Sequence, residues 1–225
     1  MKKLGILGGM GPYASLKFYE KILNLTNAKK DWEHIHTIID SNTSIPSRTR
    51  NYIYNENSPV PGMVKSIKKL NEYPVDIIAI PCNSACYFLD VINDDEKNNV
   101  INIIEITSNE LTNKLKKGKK VAVFGGYITF HAQTYKKYLK EYEYILHNEE
   151  EQEKISYFIE KIKLNEDIKD EFTEFTSQYI KKYEIDALIL GCTEFSYVKT
   201  DFDILVIDSN EELAKYCVNY CVGTD

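Results

Sequence analysis

Two cysteines sit in segments that resemble each other. One reads Asp76-Ile-Ile-Ala-Ile-Pro-Cys82-Asn-Ser and the other Asp186-Ala-Leu-Ile-Leu-Gly-Cys192-Thr-Glu, with Asp and Cys six residues apart in each. In both, an apolar run ends at a punctuating Pro or Gly, then delivers a thiol followed by a small polar side chain. Two matching strand ends, each presenting a thiol, suggest two half-sites that face one another. Such a pair suits the movement of a proton on and off one carbon from opposite faces.

The elements that must position these thiols follow an α/β rhythm. Apolar strand-like runs alternate with helix-period segments, the pattern of a parallel sheet with helices on both faces. In the first half the sequence predicts strands near Leu4–Leu7, Ile35–Ile39, Asp76–Ile80 and Val100–Ile104, with helices near Tyr13–Ala28, Gly62–Glu72 and Ser84–Ile92. The second half repeats the order, with strands near Lys120–Phe124, Tyr144–His147, Ala187–Leu190 and Ile204–Ile207 and helices near Thr129–Glu141, Glu149–Leu164 and Asp167–Tyr183. Leu4-Gly-Ile-Leu-Gly-Gly9 matches Val121-Ala-Val-Phe-Gly-Gly126, and Ile101–Glu105 resembles Ile204–Asp208, each read as a strand ending in a carboxylate. Features recurring in one order favour two similar doubly wound parallel-sheet subdomains. Residues 1–104 plus 206–225 would form the Cys82 half and 105–205 the Cys192 half, with the last helix, Asn210–Val222, packing back on the first. Function then belongs at the strand C-termini, in the cleft between the halves.

The bulk properties narrow the classes. A length of 225 residues with 43% hydrophobic content can bury substantial cores. A formal net charge of -6 argues against nucleic acid or an anionic membrane surface as partner, and requires a local cationic pocket if the substrate is an anion. No apolar run approaches the roughly 20 residues needed to span a bilayer, and Gly and Pro interrupt the N-terminal run before a signal-peptide core develops. Five cysteines without a CxxC or a matching histidine set point to a reducing, cytoplasmic setting and no metal.

Gly9-x-Gly11-x-x-Ala14 follows the first strand, and Asp40 ends the second. That combination fits a dinucleotide fingerprint and is the strongest competing reading. Against it, Pro12 removes a backbone donor inside the phosphate-facing turn. The chain has only two arginines, Arg48 and Arg50, against 26 lysines, and both arginines follow Ile45-Pro-Ser in one loop after the second strand. An arginine kept in so Lys-biased a chain is best explained by its bidentate fork, which matches a carboxylate; of the two, Arg48 is the candidate.

The chain resembles the cofactor-independent aspartate/glutamate racemase family over essentially its whole length. The resemblance rests on Gly5-Ile-Leu-Gly-Gly-Met-Gly-Pro12, Asp40-Ser-Asn-Thr-Ser-Ile-Pro-Ser-Arg48-Thr, Pro81-Cys-Asn-Ser-Ala85 and Leu190-Gly-Cys-Thr-Glu194. It implies an amino-acid racemase without cofactor, with Cys82 and Cys192 as the two acid/base residues, acting on D- and L-enantiomers respectively. Asn83, Ser84 and Thr193 would hold the α-amino and α-carboxylate groups. Arg48 would bind the side-chain carboxylate with help from Lys163, Thr129 would help seat a carboxylate, and Met10 would line the pocket. Glu194 would orient Cys192 or its proton partner. A homodimer acting on a small acidic amino acid, aspartate or glutamate, is implied as well. Two positions depart from the family pattern: Ser84 stands in place of Thr, and Cys86 in place of His, read here as a buried free thiol. The nearest alternatives are a Cys-dependent isomerase or decarboxylase of a related dicarboxylic acid (maleate isomerase-like), and a ligand-binding protein that has kept the cleft.

Overall fold

The computed structural model describes residues 1–199 and 201–223. Two four-stranded parallel sheets form the framework. The first contains β1 (Leu4–Gly8), β2 (Thr37–Ser41), β3 (Ile77–Ala79) and β4 (Val100–Ile101), in the order β2-β1-β3-β4. The second contains β5 (Lys120–Gly125), β6 (Glu143–Ile145), β7 (Ala187–Gly191) and β8 (Leu205–Asp208), in the matching order β6-β5-β7-β8. The helices are α1 (Pro12–Thr26), α2 (Arg48–Tyr54), α3 (Val60–Asn71), α4 (Asn83–Leu89), α5 (Asp94–Lys97), α6 (Ile103–Lys114), α7 (Tyr127–His131), α8 (Glu149–Lys163), α9 (Lys169–Tyr183) and α10 (Ser209–Val222). In both sheets the winding direction reverses between the first and third strands of the lobe. Loops leaving those two strand ends turn to opposite sides and open a crevice between them. Gly8 and Cys82 follow that rule in one lobe, Gly125 and Cys192 in the other.

Strand alternation explains how the lobes are joined. On β5 and β7, Val121, Val123, Ala187 and Ile189 share one core with the first sheet, α6 and α10. Their neighbours Ala122, Phe124, Leu188 and Leu190 face the other way, into a second core under α8 and α9. A period of two sends successive side chains to opposite faces, so one sheet serves both cores. From α10, Leu213, Ala214, Cys217, Val218 and Cys221 all lie in the shared core.

The structure departs from the sequence-based elements where a cap or turn intervenes. β4 stops at Ile101 because Asn102 caps α6, its side-chain oxygen accepting from the amides of Ile104 (2.9 Å) and Glu105 (3.4 Å). Glu105 therefore sits in the first turn of a helix and does not end a strand. Asp208 does end β8, and its carboxylate caps α10 by accepting from Asn210 (2.9 Å) and Glu211 (3.3 Å). The expected subdomain limits at 104/105 and 205/206 thus fall inside α6 and β8. The helix expected over Thr129–Glu141 ends at His131, with Gln133 in the left-handed region at φ 46°. The arginine segment, read as a loop, is helical from Arg48, and the Ser47 hydroxyl caps it by accepting from the Arg50 amide at 3.3 Å.

The first glycine loop is closed on itself. The Gly9 amide donates to the Ser15 hydroxyl (3.1 Å), which in turn donates to the Gly11 carbonyl (2.8 Å). Asp40 accepts from Lys69 at 2.8 Å. The Gly9 amide and the β2 acid are therefore engaged within the protein, contrary to what the dinucleotide reading needs. Gly9 has φ 89°, and a Cβ there would lie 2.5 Å from the Asn42 carbonyl carbon. Gly9→Ala should destabilise the fold by about 2 kcal/mol or more. Thermal unfolding checks this, with Tm expected to fall by about 5 °C or more.

Candidate active site

One cavity of about 190 Å³ opens between the lobes at the strand ends. Cys82 and Cys192 both line it. Cys82 is the last of the three residues between β3 and α4, buried apart from 7% of its surface. Cys192 occupies the equivalent point between β7 and a short 3-10 helix, Thr193–Tyr197, and is partly exposed. Met10, Arg48, Asn83, Ser84, Lys163, Thr193 and Glu194 line the same cavity. Of the residues named from sequence, Thr129 alone stays outside the lining. It is buried on the inward face of α7 and packs onto Gly125, where a Cβ would come within 2.5 Å of its methyl.

The half-sites are stitched together by buried hydrogen bonds. The Thr193 hydroxyl donates to the Pro81 carbonyl at 3.1 Å, linking the Cys192 segment to the residue before Cys82. Tyr135 donates to the Asn83 side-chain oxygen (2.6 Å), Asn83 donates to Ser209 (3.0 Å), and Ser209 donates to the Leu190 carbonyl (2.8 Å). This chain runs from the residue after Cys82 to the strand that delivers Cys192. It fixes the spacing of the two thiols and changes the roles expected for their neighbours. One of the two Asn83 amide N–H groups and the Thr193 hydroxyl proton are engaged inside the protein, so both side chains help position the site while lining the cavity beside Ser84.

Charge is arranged around Cys192. Its thiol donates to Glu194 Oε2 at 3.0 Å, and Lys163 Nζ lies 3.8 Å from Glu194 Oε1. Burial, then the Glu194 charge, pushes the Cys192 thiol well above the usual cysteine range, and Lys163 opposes that shift. A thiol at a helix start is usually more acidic than a free cysteine, and at Cys192 the shift runs the other way. The glutamate's charge and the desolvation outweigh the cation. At Lys163, desolvation acts to lower the pKa, but Glu194, Cys192 and Cys82 together raise it. Cys86, one turn along α4, is buried and pushed up to about 12, chiefly by desolvation, as a free structural thiol should be. Arg48 donates from its terminal nitrogens to the carbonyls of Pro46 (3.2 Å) and Met10 (3.1 Å), and its buried Nε has no partner.

Ser47, Thr49, Gly126, Tyr127, Ser156, Ile159, Glu160 and Gly191 complete the lining. Sequence reasoning missed them, although Ser156, Ile159 and Glu160 lie seven, four and three residues before Lys163. Helical periodicity places all four on one face of α8.

A family model described as Asp/Glu/Hydantoin racemase matches residues 7–217. The chain belongs to this family. It is an amino-acid racemase. The broad specificity amino-acid racemase RacX of Bacillus subtilis is 27% identical over 224 residues, 96% of each chain. Among solved structures, the Picrophilus torridus aspartate racemase is 29% identical with a TM-score of 0.83, covering 99% of this chain and 95% of its own. A glutamate racemase from Francisella tularensis, in complex with D-glutamate, is 19% identical with a TM-score of 0.64, covering 99% of this chain and 82% of its own, and supports the fold. The duplicated racemase architecture accounts for the matched strand order of the two sheets.

Proposed function

We propose that this racemase interconverts the L- and D-forms of aspartate, or of glutamate, by proton transfer between two cysteines on opposite faces of the α-carbon. The observation that carries the reading is the convergence of Cys82, Cys192, Arg48 and Lys163 on one small cavity. Its volume of about 190 Å³ suits a small amino acid. The two cations supply the local positive charge that a chain of net charge -6 needs for a dicarboxylate.

The chemistry divides among the residues as follows. The α-proton of a free amino acid is very weakly acidic, and its removal builds negative charge on the carboxylate. Lys163 and the Ser84 hydroxyl line the cavity and would offset that charge. Cys192 must first lose its own proton, and Glu194 Oε2, 3.0 Å away, is the acceptor at hand. The Cys192 thiolate then removes the α-proton of the L-enantiomer. The Cys82 thiol protonates the opposite face, giving the D-enantiomer and a Cys82 thiolate. The reverse direction begins from that thiolate. Action in the cytoplasm as a homodimer belongs to the same reading, and the five free thiols suit a reducing compartment.

Loss of the α-proton signal in deuterated water, followed by NMR with L- and D-aspartate and L- and D-glutamate, tests the proposal. Exchange with inversion on aspartate supports it. Equal rates on neutral amino acids would replace it with a broad-specificity reading, which the likeness to RacX favours. Inertness toward every amino acid would leave the dicarboxylate isomerase or decarboxylase, or the ligand-binding protein. Arg48→Lys keeps the charge but loses the planar fork, so KM for aspartate should rise about tenfold or more with the fold intact. An unchanged KM would remove Arg48 from substrate binding.

A further inference from the structure

A second cavity, of about 610 Å³, lies on the far side of α4 from Cys82, where the lobes meet. Its cationic wall comes from the segment after α7. His131 to Lys140 contains three lysines and no acid, and Lys136, Lys137 and Lys140 all line the groove. Asp90 is the sole carboxylate in the lining, 3.6 Å from Lys137. Lys136 bonds only the neutral side chain of Gln133, and Lys140 has no carboxylate partner among the described residues. Most of the other surface lysines in this acidic chain are paired: Lys17, Lys21, Lys69, Lys117, Lys119 and Lys154 all hold carboxylates. The Thr134 hydroxyl, buried in the same lining, also lacks a partner. Two aromatic rings, Tyr87 and Tyr138, complete the walls.

We propose that this groove binds an organic phosphate with a flat ring system, and that occupancy alters racemisation. The lysines match the phosphate charge, and the tyrosines offer faces for the ring. Two connections lead from groove to catalytic cleft. The groove's Cys86, Tyr87 and Asp90 belong to α4 or its C-cap, and α4 starts directly after Cys82. Lys136 follows Tyr135, whose hydroxyl holds Asn83 at 2.6 Å. A ligand that binds one arrangement of these elements better than another shifts the cleft by that difference in affinity.

AMP and inorganic pyrophosphate serve as probes, with calorimetry for binding and aspartate racemisation for coupling. AMP should bind saturably in the micromolar to millimolar range and change kcat or KM about twofold or more. Lys136→Glu/Lys140→Glu, which touches nothing in the catalytic cavity, should weaken AMP about tenfold or more and leave racemisation without AMP unchanged. Failure of AMP to bind at millimolar concentration, or equal binding to the double variant, overturns the site. Pyrophosphate binding as tightly as AMP overturns the role of the tyrosine walls. Tight AMP binding with no kinetic change overturns the coupling. If the protein proves inert on amino acids, the binding arms still decide whether the site exists, so the two failures remain distinguishable.

Discussion

Cys82→Ser and Cys192→Ser should each lower racemisation by about 10³-fold. A serine hydroxyl is too weak an acid to leave the alkoxide needed for base catalysis at neutral pH. Both side chains line the cavity, Cys82 as part of the shared core and Cys192 against the second core, and Ser differs from Cys by a single atom, so the fold should survive. The informative result is asymmetry in what remains. With Cys192 replaced, Cys82 can still exchange the α-hydrogen of the D-enantiomer with solvent. With Cys82 replaced, Cys192 can still exchange that of the L-enantiomer. Each single variant should therefore wash deuterium into one enantiomer and not the other, and mass spectrometry of recovered substrate reads this directly. Full racemisation in either variant would end the two-thiol scheme.

The second large effect concerns the charges around Cys192. Burial and Glu194 hold its thiol up, while Lys163 pulls it down. Glu194→Gln removes the negative charge, so Cys192 should form thiolate at lower pH than in the parent. Lys163→Met removes the opposing charge, so the thiolate should appear only at higher pH. Iodoacetamide labelling of Cys192 across pH, quantified by peptide mass, checks both signs. Catalysis should not follow labelling. Glu194→Gln loses the proton acceptor and should slow turnover even as labelling speeds up. Lys163→Met should cost about 1.5–3 kcal/mol in kcat/KM, the usual worth of a hydrogen bond to a charged group. Shifts of the same sign in the two variants would refute the assignment.

Much of this arrangement is legible in the sequence, because strand ends carry local signals. The Asp-to-Cys repeats mark β3 and β7 through apolar runs that end in Pro or Gly, and the doubled order of elements becomes the doubled sheet order. Legibility fails where a side chain's partner is distant along the chain. Asn83 is expected from sequence as a substrate ligand, and its bonds to Tyr135 and Ser209, 52 and 126 residues away, carry no signal in the local sequence. The place of Thr129 is likewise hidden from the sequence: α7 starts two residues before it and packs it against Gly125, outside the cavity lining. Arg48 lines the cavity, but the helix it starts is not foreseen, since the signal for α2 is one capping serine against a proline-containing approach.

The sharing of β5 and β7 between two hydrophobic interiors has a mechanical outcome. The inner faces of these strands are glued to the other lobe, so neither half is a self-sufficient folding unit. A gene cut at the β4–β5 connection should yield two fragments that each expose a greasy seam and aggregate when made alone, yet recombine when co-expressed. Chemical denaturation of the intact chain should accordingly pass through one cooperative transition.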